Sequence, residues 1–201
     1  MQKLFLPLIV IAAIAGVIVG NEYFNDSPNA NNKSGVYIDP PGGDFTLDSN
    51  KGKVSLSDHD GKVRMLYFGY TFCPDVCPGS LQRVGAAFKK LTPEERAKVH
   101  GMFISVDPDR DTLKKLEDYT TYFHEQIDGI TGTKAQIDEI AKRYDVTYRK
   151  AEGSSPESYL VDHTGYIFVL DKKGKIRDYL PHAVNINRAV EVIRKLLNEP
   201  T

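Results

Sequence analysis

The segment RMLYFGYTFCPDVCPGSLQRVGAAF, residues 64–88, opens with an apolar run of buried-strand length, Arg64 to Tyr70. It ends with Leu81, Val84, Ala87 and Phe88 at helical spacing. A strand feeding a helix through one short loop is how a parallel α/β sheet starts. The loop carries Cys73 and Cys77, the chain's two cysteines, each followed by a proline.

Downstream, Thr92-Pro93-Glu94-Glu95 predicts a helix start, with Thr92 as N-cap, Pro93 at the first position and Glu95 closing a capping box. Met102 to Val106 predicts a second buried strand that ends in the loop DPDRD. Leu113, Leu116, Tyr119, Thr120 and Phe123 mark an amphipathic helix, and IDGITGT a short strand. Thr133 with Gln136 caps the next helix, whose apolar face is Ile137, Ile140, Ala141 and Tyr144. The last third reads as an antiparallel hairpin, YLVDHTGYIFVLD and KIRDYL around Lys172-Lys173-Gly174. A closing helix follows, with Val190, Ile193 and Leu197 inward. Upstream, FTLDSNKGKVSLSDHDGKV predicts a β-hairpin extension. A parallel start, an antiparallel hairpin and a final helix make a thioredoxin-like α/β layout, a mixed central sheet with helices on both faces.

The 201 residues support one ordinary domain with a core. With 26 basic and 27 acidic side chains and a net charge of −1, there is no basic excess to bind nucleic acid. Two cysteines are too few for a disulfide-stapled scaffold. Leu4 to Gly20 is uncharged and, as a helix, reaches roughly 25 Å, near the short end for a membrane span. Lys3 precedes it, and Glu22 and Asp26 follow. Residues 1–20 are therefore expected to be a single N-terminal membrane anchor, with a cleaved signal peptide as the alternative. The chain beyond Gly20 is expected on the extracytoplasmic, periplasmic side of a bacterial inner membrane. Residues 21–39 read as a polar, Asn-rich tether, and 40–198 as the folded domain.

In this layout the cysteines lie where a central strand's C-terminal end meets a helix N-terminus. Ligands and chemistry gather at that edge, and thiolates are favoured there. Thiolate is the form required for both disulfide exchange and metal binding. The spacing Cys-x-x-x-Cys is one residue longer than the thioredoxin redox motif, which makes room for an ion between the sulfurs without forbidding a disulfide. A metal needs further ligands. Of the five histidines, His59 falls in a polar turn and reads as solvated. His100 opens a strand, His124 ends a helix where a cation suits the dipole, and His182 follows Pro181 in a loop. His163 sits just before the long hairpin strand, which in this layout faces the cysteines. It is either a ligand or a hydrogen-bonded structural histidine. Two thiolates and one imidazole would make a soft, low-coordinate site that favours copper, as Cu(I) or Cu(II).

YFGYTFCPDVCPGSL, ISVDPDRDT (104–112) and YLVDHTGYIFVLDKKGKIRDY resemble, in order, the signature segments of the Sco/SenC family. The resemblance implies a thioredoxin-like fold, copper binding, and a role in assembling the CuA centre of cytochrome c oxidase. It places the family's metal ligands on Cys73, Cys77 and His163. The implied partners are the CuA-bearing oxidase subunit and another periplasmic copper chaperone or thiol reductant. Three activities remain open: a copper metallochaperone, a thiol–disulfide oxidoreductase using Cys73 and Cys77 to reduce the CuA-site cysteines, and a peroxide-reducing enzyme by fold analogy alone. The DPDRD loop is expected to cap a helix through Asp111 or Thr112 and to offer a charged lip to a partner. Asp75 is expected to be solvated or to tune the site. Asp162 is expected either to orient His163 or to face water.

Overall fold

The computed structural model describes residues 42–151 and 158–200. The anchor and tether expected over residues 1–39 lie outside the described residues. Among the described residues no helix is long and apolar enough to cross a membrane.

Strands β1 (Thr46–Ser49) and β2 (Gly52–Ser55) form the expected N-terminal hairpin. Next come β3 (Val63–Gly69), α1 (Val76–Lys89), the short α2 (Pro93–Arg96), β4 (Val99–Ser105), α3 (Leu113–Phe123), β5 (Ile127–Ile130) and α4 (Lys134–Arg143). The chain finishes with β6 (Tyr148–Lys150), β7 (Val161–His163), β8 (Tyr166–Leu170), β9 (Ile176–Pro181) and α5 (Ile186–Asn198). The central sheet runs β5-β4-β3-β8-β9, with β3, β4 and β5 parallel and β8 and β9 antiparallel.

Every residue of β3 and β4 is buried, as parallel central strands require when both faces are covered. Alternation along β3 assigns the two faces. Tyr67 stacks on Phe103, which in turn meets Tyr119 of α3, while Phe68 packs against Tyr144 at the end of α4. The inward stripe of α1, including Leu81, Val84 and Phe88, is fully or nearly fully buried. Each such side chain contributes about 1.5–3 kcal/mol. The predicted capping boxes form at Thr92–Glu95 and Thr133–Gln136. Within the apolar run, Arg64 is fully buried and donates to the carbonyls of Leu56 and Asp171 and to the Asp60 carboxylate.

One expectation is corrected. The hairpin arm YLVDHTGYIFVLD, with His163 at the entrance of its long strand, is two strands, β7 and β8, broken at Thr164-Gly165. β7 pairs with an unforeseen partner, β6, in a separate two-stranded sheet. The Thr147 N–H donates to the Thr164 hydroxyl and the Thr164 N–H to the Thr147 carbonyl, which draws the chain away from β8. On α5, Leu197 packs against the core as expected but is only partly buried, and the neighbouring Leu196 is buried.

Candidate metal centre

The site is built where β3 ends. Tyr70 to Asp75 form the loop, and α1 begins at Val76, so Cys77 and Pro78 occupy its first turn. Cys73 is buried at 8% exposure and Cys77 completely, and both are free thiols. Gly69 makes the burial of Cys77 feasible. A Cβ there would lie 2.7 Å from the Cys77 sulfur and 2.9 Å from the Phe103 ring. The strand backbone and the sulfur can approach this closely only because the side chain is missing.

His163 comes in from β7, 86 residues away in sequence, with Nε2 3.2 Å from the Cys77 sulfur. Its Nδ1 lies 3.1 Å from the Thr164 carbonyl, which can only accept, so Nδ1 carries the proton and Nε2 presents its lone pair to the sulfurs. The rings of Tyr67 and Tyr70 meet the imidazole edge-on at 5.9 and 5.8 Å and fix its plane. The Tyr70 hydroxyl also accepts from the Val161 N–H, which ties β7 to the loop. The ligating atoms of Cys73, Cys77 and His163 all lie within 4.8 Å of one another. Two sulfurs and a lone-pair nitrogen converging at a buried point fit a soft metal ion.

The thiols differ electrostatically. The hydrogen bond from Cys77 holds the Cys73 thiol far below the ordinary range, helped by the backbone N–H groups of Asp75 and Cys77, against the opposing effect of burial. Burial and the neighbouring Cys73 push Cys77 strongly upward. The pair therefore holds one thiolate and one thiol.

The DPDRD loop ends in the expected helix cap: of the two candidates, Thr112 caps α3. Asp111 is buried and accepts from the Thr71 N–H at 2.9 Å, the Thr71 hydroxyl at 2.5 Å and the Ser105 hydroxyl at 2.6 Å, so it bolts the cysteine loop to the end of β4. Asp107, also buried, accepts from Arg110 and from the Tyr159 hydroxyl. Arg110 lies 3.5 Å over the Tyr159 ring and donates to its carbonyl, securing the segment that leads into β7. The outward rim is Phe72, half exposed, with Lys115 3.8 Å above its ring. Beside it, an open groove of about 640 Å³ runs along Pro74, Pro78 and the largely exposed Tyr122.

Asp75 is exposed and makes no capping bond. Asp162 points outward to Arg149 at 3.5 Å, so the Thr164 carbonyl, not a carboxylate, orients His163. His182 is exposed. Two histidine readings are corrected. His124 ends α3, but burial lowers its pKa and its Nδ1 accepts from the Gln126 N–H, so it is not a dipole-stabilised cation. His59 is not solvated: it stacks on His100 with ring centroids 3.5 Å apart. Its position in the polar turn SDHDG hid a partner that lies across the fold.

The SCO1/SenC family model matches residues 38–198. The chain is 35% identical over 156 residues to yeast (Saccharomyces cerevisiae) "Protein SCO2, mitochondrial", covering 77% of this chain and 52% of that protein. It is 33% identical over 160 residues to "SCO2-like protein RC0895" of Rickettsia conorii, covering 79% and 76%. It thus spans about half the length of the yeast relative. Among solved structures, the copper-bound ScoI of Bradyrhizobium japonicum superposes with a TM-score of 0.71 at 31% identity, covering 78% of this chain and 99% of that one. With its thioredoxin-like fold, its paired cysteines and the histidine they face, this chain belongs to the SCO1/SenC family.

Proposed function

We propose that the domain carries one copper ion, bound as cargo by Cys73, Cys77 and His163, and passes it to the CuA-bearing subunit of cytochrome c oxidase on the extracytoplasmic face of the membrane. The observation that carries this reading is the imidazole nitrogen held with its lone pair 3.2 Å from a buried cysteine. Three soft donors leave the ion under-coordinated. Incoming thiolates can add to it before the resident ligands leave, so transfer needs no high-energy bare ion. The Phe72 rim and the adjoining groove supply an apolar and cationic surface for the receiving protein.

The unequal thiols favour one second reading, reduction of the CuA-site disulfide. The Cys73 thiolate would attack one sulfur of the partner's disulfide, releasing the other as a thiolate. Cys77, losing its proton, would then attack Cys73 and release the second thiolate. Two electrons reach the partner, and a Cys73–Cys77 disulfide remains. His163→Ala separates the two. Copper transport predicts a loss of Cu(I) affinity of more than about 100-fold, beyond what lost ligand-supporting groups cost. Pure thiol exchange predicts unchanged disulfide reduction and unchanged copper affinity. Anaerobic competition titration with a chromogenic Cu(I) chelator reads the difference.

A further inference from the structure

A second group of metal-ligating side chains lies at the opposite end of the sheet. His100 is the second residue of β4, and the cysteine loop leaves the other end of the paired strand β3. The five residue steps from His100 to Ser105 separate the two places by roughly 16 Å. His59 stands on the 3-10 turn Leu56–His59, and Asp128 on β5. The side chains of His59, His100 and Asp128 are 15%, 11% and 23% exposed.

Hydrogen bonding within this group is incomplete. His100 Nε2 donates to an Asp128 carboxylate oxygen at 2.8 Å. His59 Nε2 faces the same oxygen at 3.7 Å, beyond hydrogen-bonding range, and is buried with no partner. Leaving a buried nitrogen unsatisfied typically costs about 1–3 kcal/mol. Burial first, then the neighbouring His100, lowers the His59 pKa to about 4, so the ring is neutral and able to ligate. Burial is the largest influence on Asp128 and opposes its ionisation, but the His100 hydrogen bond and the attraction of its basic neighbours together outweigh it and hold the carboxyl below the ordinary range.

We propose that His59, His100 and Asp128 form a second metal site for a divalent ion of the zinc and copper(II) class, with the remaining positions open to solvent or to an incoming ligand. One donor atom from each of the three already lies within 4.8 Å of the others. Two imidazoles and a carboxylate with an open position are a donor set suited to such borderline ions, in contrast to the sulfur-rich site at the far end. The rings now stack nearly parallel, at 12°, so converging their lone pairs requires one ring to turn. His59 can make that turn, because it ends a four-residue 3-10 turn beside Asp60-Gly61 rather than lying within the sheet. Bound metal would supply the partner that His59 Nε2 lacks.

The test is an anaerobic Zn²⁺ titration of the full chain carrying Cys73→Ser and Cys77→Ser, read by chelator competition, with circular dichroism to confirm folding. One equivalent should bind, and adding His59→Ala or Asp128→Asn should each weaken it by at least about tenfold. If the serine variant does not fold, the otherwise unaltered chain should bind two equivalents and its His59→Ala variant one. Two nitrogen couplings in the Cu²⁺ paramagnetic resonance spectrum, falling to one in His59→Ala, would identify the ligands. A folded serine variant that binds no Zn²⁺, or binding indifferent to His59→Ala, overturns the proposal and leaves a stacked pair that only packs the turn. The serine-variant outcomes do not depend on what Cys73, Cys77 and His163 carry, and in the unaltered chain it is the loss of one equivalent in His59→Ala, not the total bound, that reads the second site.

Discussion

At the scale of single residues, the site depends as much on a missing side chain as on the side chains present. Gly69→Ala would place a methyl 2.7 Å from the Cys77 sulfur, forcing the sulfur or the strand to shift. Overpacking of this kind costs about 1–3 kcal/mol. Urea unfolding should register that loss, and Cu(I) titration a weaker site. The Cys73 thiolate leads to a second expectation. An ordinary thiol, with pKa about 8.5, is less than about 1% ionised at pH 6. Iodoacetamide at pH 6 should therefore label Cys73 much faster than a free thiol and leave the fully buried Cys77 unlabelled, as peptide mass mapping would show. The cysteines and His163 could be picked out in the sequence because few side chains can ligate soft metals. Gly69 and Thr164 could not. One acts by having no side chain and the other through a carbonyl that every residue possesses.

At the scale of elements, the loop after β4 clamps the site together. Asp111 joins the cysteine loop to β4, while Asp107 and Arg110 hold the segment entering β7. Asp111→Ala strands three donors that had one acceptor group, two from Thr71 and one from Ser105. It should cost about 2–4 kcal/mol of stability, since each unmet buried donor costs about 1–3 and the cavity partly relaxes. Copper affinity should fall with it, and thermal unfolding alongside metal titration checks both. Helix starts such as Thr92 and Thr133 were readable because a capping box is local. β6 was not readable. Three residues, YRK, show no alternation, and only partners eleven to fifteen positions away make them a strand.

At the scale of the molecule, the layout was legible because buried parallel strands and amphipathic helices write their periods into the chain. The stacking of His59 on His100 was not, since it depends on how a turn folds back over the sheet edge. Copper held by Cys77 and His163 would bridge 86 residues and bind the native state alone. At a free concentration 1,000 times its Kd it should add about 4 kcal/mol of stability. Calorimetry should show the melting temperature rising with Cu(I), and the rise shrinking in His163→Ala. The two kinds of ligand are mounted differently. The sulfurs are rooted in the loop and first turn that pack on the central sheet, whereas the imidazole rides on a two-stranded ribbon outside it. A vise with one fixed jaw and one sprung jaw opens from the sprung side, so cargo would be surrendered nitrogen first, with the core undisturbed.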